Sequence, residues 1–389
     1  MIMIRKLGLD IGNSAVKGAM LDDSNRLLND IENPSVVSQI VDEKYLTFPN
    51  ETDFYLQILD SALPHFEGIV AIGQKAMDLP QHQEYDVATT SYKTGDPMTS
   101  ALLFGSLIGA MNEIDDVNVK LTVSIPIVEA KRLGLAAKYQ KQLSGSHTIR
   151  VWRSDQTAAK DITVNIIAVR IVNEGQAGFF GLLDTIDKLF ELTMNNIYNA
   201  LGEQTSPIKD LEDFIVVDIG EGTTDISVFK HKKFNPDYSF SITSGIGNIL
   251  ENARTLASRE QLTIDSRKDL QRVIESTNKR QEKRRERWMK YVKPNNSAFV
   301  SEVAETIAKA YGSSDYFDAI IFIGGGFSAL TGYKLNDLGQ IEMRDHELFD
   351  KINDKLDALN KTCDLMFGVP IPYARTSNRR GLVQLLTIM

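Results

Sequence analysis

Apolar and polar positions change period several times along this chain, and each change marks an element. Residues 6–10 and 16–21 read as paired strands, and 120–125, 148–151 and 162–172 as further strands, because alternate side chains of a strand face opposite sides of a sheet. Residues 100–111 are small and apolar at helical density. After Pro126, residues 128–143 set Lys and Arg on the outer face of an amphipathic helix. Residues 175–197 read as a helix and 202–209 as a loop. A second strand pair covers 214–218 and 225–230. Helices are expected over 246–258 and 298–311, with a charged helical region over 266–291 between them. A buried strand over 319–323 runs into Gly324-Gly325-Gly326. Residues 22–98 are polar and weakly patterned, with turn signals at Asn33-Pro34, Pro49-Asn50 and Gly95-Asp96-Pro97.

One pattern occurs twice. Leu7-Gly8-Leu9-Asp10-Ile11-Gly12 returns as Val216-Val217-Asp218-Ile219-Gly220, and both are a strand, an Asp-x-Gly turn and a second strand. A separation of about 200 residues means a duplicated domain and not a short-period solenoid. The 389 residues suit two domains. The expected division is 1–178, with 370–389 returning to it, and 179–369. Two α/β domains presenting equivalent turns to each other would flank a cleft, a favoured place for a ligand.

The chemistry of the turns points to phosphate and magnesium. In Asp10-Ile11-Gly12-Asn13-Ser14-Ala15-Val16-Lys17, successive turn N–H groups can converge on an anion, Ser14 adds a hydroxyl and Lys17 a positive charge. Asp10 suits the hydration shell of Mg²⁺, which keeps several waters and takes few carboxylates. By itself this turn also reads as an ordinary Asp-Gly hairpin with a solvated Lys17. Asp218-Ile219-Gly220-Glu221-Gly222-Thr223-Thr224-Asp225 is sharper, with two glycines, two hydroxyls and three carboxylates in eight residues. Gly220, Gly222, Thr223 and Thr224 are its phosphate candidates and Asp218 its metal-facing acid. Gly324, Gly325 and Gly326 offer bare backbone on which a flat nucleoside can lie. Glu174, in Asn173-Glu174-Gly175-Gln176, follows a strand and opens a helix, where a polar side chain can aim a water at a terminal phosphate; Gln176 is the second candidate. A helix-opening Glu is also what the helix dipole favours. A P-loop and a Gly-x-Gly-x-x-Gly after the first strand are both absent from the sequence.

These elements, in this order, resemble the actin, heat-shock chaperone and sugar-kinase superfamily, and within it the ParM (StbA) group of plasmid-segregating bacterial actins. The likeness also takes in Thr122-Val123-Ser124-Ile125-Pro126-Ile127, the helix after it, and Asn378-Arg379-Arg380-Gly381-Leu382, similar to a hinge helix. It implies an actin-like ATPase fold that binds ATP, with GTP left open, and Mg²⁺. It implies that Glu174 positions the hydrolytic water, that Asp10 and Asp218 are the magnesium-associated acids, and that Gly245 and Gly247 form a ribose-side loop. It further implies homopolymeric filaments that hydrolyse ATP and reach DNA through an adaptor protein. A small-molecule kinase or a chaperone of the same superfamily is the alternative. The chain departs from the group in extra residues around 184–213 and in the first 100, and in Glu221, where many relatives carry Gly or Ser.

Composition narrows the partners. A net charge of −9 disfavours extensive direct contact with nucleic acid. The basic run over 279–290 interleaves glutamates at helical spacing and reads as a solvated or filament-contacting face. A single cysteine, Cys363, excludes an internal disulfide and fits a reducing, cytoplasmic setting. The first residues lack the order of a signal peptide, and no apolar run approaches the ~20 residues that span a bilayer. The apolar 382–389 is expected to pack into a core and not to anchor to a membrane.

Overall fold

The computed structural model describes residues 3–84, 93–154, 158–183, 188–201, 208–276, 278–336, 340–371 and 373–389. The chain forms two compact units, Met1–Gly181 with Asn378–Met389, and Leu182–Ser377.

Among its described residues the first unit holds ten strands: β1 (Met3–Ile11), β2 (Ala15–Asp22), β3 (Leu27–Pro34), β4 (Val36–Ile40), β5 (Phe54–Asp60), β6 (Ile69–Ile72), β7 (His82–Glu84), β8 (Val117–Ile125), β9 (Gly145–Arg153) and β10 (Lys160–Asn173). They form one sheet in the order β3-β2-β1-β8-β10-β9-β5-β6-β4-β7. Its centre is parallel, β1 and β10 both running with β8. Both faces of this centre are covered: Leu7, Leu9, Leu121 and Val123 are buried on one, and Gly8, Thr122 and Ser124 on the other. The short α1 (Gly73–Met77) follows β6, and α2 (Pro97–Ala110) precedes β8. Almost every residue of α2 is buried, so it is a core helix without a polar face. The polar residues 22–98 thus supply five strands, β3 to β7. Their weak patterning has different sources: in β3 only Ile31 is fully buried, whereas β6 is buried at all four positions and too short to show an alternation.

The amphipathic pattern over 128–143 forms two helices, α3 (Ile127–Ala130) and α4 (Leu135–Leu143). The first ends with its cap at Lys131, and Gly134, whose φ of 77° lies in the left-handed region, stands just before the second. After β10 come α5 (Glu174–Leu182) and α6 (Lys188–Leu201), where one helix was expected; 184–187 and most of the expected loop, 202–207, lie outside the described residues.

The second unit carries β11 (Phe214–Ile219), β12 (Thr224–Lys230), β13 (Lys233–Ile242) and, after α7 (Ile246–Arg259), α8 (Arg267–Glu275) and α9 (Glu282–Ala310), β14 (Tyr316–Ile323). There follow α10 (Gly325–Thr331), a small pair β15 (Lys334–Leu335) and β16 (Ile341–Glu342), α11 (Glu347–Ala358), β17 (Thr362–Gly368) and α12 (Tyr373–Thr387). The main sheet runs β13-β12-β11-β14-β17, with β11, β14 and β17 parallel. Its strands pack with α7, α9 and α11 in a core that includes Val217, Phe322, Trp288 and Ile307.

Helix α9 continues through Pro294, where the sequence suggests a gap between two helices. Proline removes one ladder hydrogen bond and clashes with the preceding turn, a cost of roughly 3 kcal/mol. Burial of Trp288, Val292, Phe299 and Val300 on one face offsets it, and Asn295 Nδ2 donates to Tyr291 O, 2.9 Å away. In the basic run, Lys283, Arg284, Arg287 and Lys290 are exposed while Trp288 is fully buried, as on a solvated amphipathic helix. No helix of the described residues is long and apolar enough to cross a membrane.

The apolar C-terminus enters the core of the first unit. Leu382 and Leu386 are fully buried, and Leu382 Cβ lies 3.2 Å from where a Cβ on Gly8 would stand. Leu382→Ala is therefore expected to destabilise the protein by about 2–5 kcal/mol, the range for truncating a buried leucine. Urea unfolding measures it, and a loss under about 0.5 kcal/mol would mean that the segment is peripheral to the core.

Candidate functional site

In the first unit, β1 and β2 pair with Asp10 opposite Lys17 and Ile11 opposite Val16. Gly12 N–H donates to Ala15 O at 3.1 Å and closes the turn. Gly12, Asn13, Ser14 and Lys17 are all half-exposed along it. Ser35 braces the turn from outside: its hydroxyl donates to Gly12 O at 2.6 Å and its N–H to Ser14 O at 3.2 Å. Asp10 is held at both oxygens. Ser124 Oγ donates to Oδ1 at 2.8 Å, and Asn378 Nδ2 to Oδ2 at 3.4 Å. Ser124 sits near the end of β8, and Asn378 comes from the returning C-terminal segment. The sequence placed both within the family likeness but named neither as a partner of Asp10.

The second unit repeats this local geometry. Asp218 stands opposite Asp225 and Ile219 opposite Thr224. Gly220 N–H donates to Thr223 O at 2.9 Å, the counterpart of the Gly12 bond. Gly222 and Thr223 are half-exposed at the tip. Thr224, expected among the phosphate-binding hydroxyls, is fully buried, and its hydroxyl donates to Ser244 O at 2.9 Å. It ties the turn to the loop before α7. Asp225 is buried against the Ser241 hydroxyl. Glu221 turns aside to pair with Arg267 at 2.6 Å, which accounts for a carboxylate in an otherwise small and polar turn.

Three sequence-distant segments meet here. Ile246 and Gly247 N–H donate to Gly220 O and Glu221 O at 3.1 and 2.8 Å, so the start of α7 docks on the turn. A Cβ on Gly245 would lie 2.6 Å from both those carbonyls, and one on Gly247 2.8 Å from Glu221 O. Asn248 Oδ1 accepts from Gly245 N–H at 3.1 Å and caps the helix. From the other side, β14 aligns Ile323 with Asp218. Gly324 follows with φ 86°, and a Cβ there would stand 2.3 Å from Asp218 Oδ1. One on Gly326 would stand 2.7 Å from Ile219 O, and one on Gly325 3.2 Å from Arg375 Nε. The candidates Asp218, Gly220, Gly222, Thr223, Gly245, Gly247 and Gly324–Gly326 thus gather at the carboxyl ends of the parallel strands β11 and β14. Ligands of open α/β sheets bind at that end. Arg267 and Arg375 were missed, because single arginines on helices carry no pattern of their own.

Glu174 opens α5 in the first unit. The residue before it, Asn173, is the end of β10 and is buried. Its Oδ1 accepts from Gln176 N–H at 2.8 Å while its Nδ2 donates to Gln176 Oε1 at 2.7 Å. Gln176 is thus occupied in a reciprocal cap, which leaves Glu174 as the carboxylate of this segment. Glu174 Oε1 forms an ion pair with Lys93 Nζ, and both side chains are nearly buried. The carboxylate of Glu129 accepts from the N–H groups of Lys93 and Thr94 at 2.8 and 3.2 Å. Burial pushes the Glu129 carboxyl up, against those amides and the Lys93 charge. Burial and the Glu129 charge likewise raise the Tyr139 hydroxyl. Among the described residues no group of three or more His, Cys, Asp or Glu side chains could hold a metal directly.

The family model described as archaeal actin homologue MreB-like, C-terminal, matches residues 216–336. No curated protein matches the chain. Among solved structures, the actin-like protein Alp7A is 15% identical with a TM-score of 0.64, covering 100% of this chain and 97% of that one. Bacillus thuringiensis ParM with ATP is 15% identical with a TM-score of 0.58, covering 100% and 98%. The apo pSK41 ParM protein is 18% identical with a TM-score of 0.57, covering 99% and 97%.

Gly324→Ala is expected to destabilise the protein by roughly 1–3 kcal/mol, since it combines a left-handed φ with contact on Asp218. Thermal or urea unfolding reads this directly. An unchanged midpoint would mean that the β14–α10 turn is not held against Asp218.

Proposed function

We propose that this chain, which has the actin-homologue fold, binds a nucleoside triphosphate, ATP with GTP left open, together with Mg²⁺, hydrolyses it, and forms filaments that segregate DNA through an adaptor protein. One observation carries the reading: Gly245, Gly247, Gly324 and Gly326 let main chain close onto the Asp218 turn, where a Cβ at any of the four would meet backbone or the Asp218 carboxylate. The half-exposed backbone at Gly222, Gly324 and Gly325 beside that packed turn suits phosphates and a flat nucleoside. Likeness in fold to a ParM with ATP supports the same reading.

In this reading the turns Gly12–Ser14 and Gly220–Thr223 donate to phosphate oxygens, and Lys17 supplies charge. Asp10 and Asp218 accept from the water shell of Mg²⁺, an arrangement that needs few direct ligands. The ion, when bound, neutralises charge on the phosphates. Ser124 and Asn378 keep the Asp10 carboxylate in one orientation for that task. Glu174 accepts a hydrogen bond from the attacking water and aligns it. Repeated head-to-tail contact between copies gives an open polymer, and loss of the terminal phosphate biases that contact. An acidic chain reaches DNA through an adaptor and not directly.

Light scattering with ATP and Mg²⁺, followed beside phosphate release, tests the whole reading. A rise that decays as phosphate appears is expected. Hydrolysis without scattering over a wide concentration range would move the function to a kinase or chaperone of the same superfamily. Two variants test the site. Glu174→Ala is expected to slow phosphate release at least roughly ten-fold while ATP still binds; collapse of nucleotide affinity instead would make Glu174 structural. Asp218→Ala is expected to abolish Mg²⁺-dependent turnover, and unchanged turnover would remove Asp218 from the metal site.

A further inference from the structure

Lys93 is an unusual lysine. Only 4% of its side chain is exposed, and its ammonium meets Glu174 Oε1, which is itself 12% exposed. Lysine is almost never buried without a partner, because desolvating its charge costs several kcal/mol. Its main chain is as firmly held as its side chain. Glu129, at the end of β8 on α3, takes the N–H of Lys93 with one carboxylate oxygen and that of Thr94 with the other. Those residues begin the 3₁₀ turn Lys93–Gly95, and Asp96 then caps α2 by accepting from Met98 N–H at 2.8 Å. A continuous path therefore runs from a buried carboxylate through a pinned turn to the ammonium, and from there to Glu174 at the mouth of α5.

We propose that Lys93 is a positioning residue that fixes the Glu174 carboxylate for water alignment, with Glu129 fixing Lys93 in turn. This rests on the reading of Glu174 given above. Lys93 engages Oε1 and so restrains the carboxylate, and in the proposal Oε2 is the oxygen that accepts from the water. Glu174 alone, on the first turn of a helix, has three side-chain torsions to order before it can aim a water, and freezing them beforehand lowers the barrier. The sequence gives no hint of this pairing, since Lys93 lies 81 residues from Glu174 in a polar stretch.

The test is a double-mutant cycle on the full chain, reading steady-state phosphate release and the affinity of a fluorescent ATP analogue. Lys93→Met keeps the stem and removes the charge. It is expected to lower kcat about ten-fold with nucleotide affinity within about two-fold, and Lys93→Arg to recover most of that loss. In a Glu174→Gln background, Lys93→Met is expected to cost nothing further, because the two act as one unit. Where Lys93→Met does not give folded protein, Glu129→Gln serves: it loosens the turn and is expected to lower kcat about three-fold at unchanged affinity. An unchanged or raised kcat in Lys93→Met, a parallel fall in affinity, or a full further loss in the Glu174→Gln background would overturn the proposal while leaving the role of Glu174 intact. Wild-type turnover that is absent, or insensitive to Glu174→Gln, would instead remove the functional reading and this inference with it.

Discussion

Main chain packs on main chain at the carboxyl end of the five-stranded sheet, and the surrounding structure is built around that contact. Strands β11 and β14 run level, so Asp218 and Ile323 end together. The chain after each must turn in the same small volume. The start of α7 enters as well, and its first N–H groups satisfy the carbonyls of Gly220 and Glu221. Buried backbone polar groups need such partners, and here they find them in one another. The result leaves no room for side chains at Gly245, Gly247, Gly324 or Gly326, and the shape of the Asp218 turn is set by hydrogen bonds from outside it.

The two Asp-x-Gly turns are closed by the same bond, yet they are supported by different means. Around the second, backbone from α7 and α10 presses in, and Thr224 is spent on tying the turn to Ser244. Around the first, side chains do most of the bracing: the Ser35 hydroxyl on Gly12 O, Ser124 and Asn378 on Asp10. A duplicated motif keeps its local geometry because strand pairing and one N–H to C=O bond define it. The tertiary support is free to differ, since any group that satisfies the exposed carbonyls and carboxylate oxygens will serve.

That difference also explains what was legible in the sequence. The strand and turn around Asp10 and around Asp218, and the strand that runs into Gly324, are local features with local signatures, and these elements fall where the patterns put them; the loop at Gly245 and Gly247 carries no such pattern and was suggested by the family likeness alone. The strands over residues 22–84 were not legible for two reasons: the end strand β3 is mostly polar and part-exposed, and the inner strands β4 and β6 are only five and four residues long, too short to show a period. The pattern leaves a gap between 291 and 298, and tertiary burial of Trp288 and Phe299 carries the helix across it, through Pro294. The break between Lys131 and Gly134 splits an amphipathic pattern that otherwise runs on. Gln176 looked like a possible water ligand, and the side chain three residues before it, Asn173, takes it as a cap. The arginines at 267 and 375 and the lysine at 93 meet their partners through the fold alone, so no spacing rule finds them.

The charges in the first unit follow a consistent logic. A buried ion pair adds little net stability, since desolvation consumes most of the attraction. The Glu129, Lys93 and Glu174 chain is thus better understood as a device for orientation than for holding the fold together. Burial pushes the Glu129 carboxyl up, so its charge is held at a cost. Two main-chain N–H groups offset part of that cost and at the same time lock the turn carrying Lys93. A carboxylate that merely filled space there would be replaced by an apolar group at no loss. One that fixes a turn, whose lysine in turn fixes a second carboxylate at the start of a helix, has a use that an apolar group cannot supply.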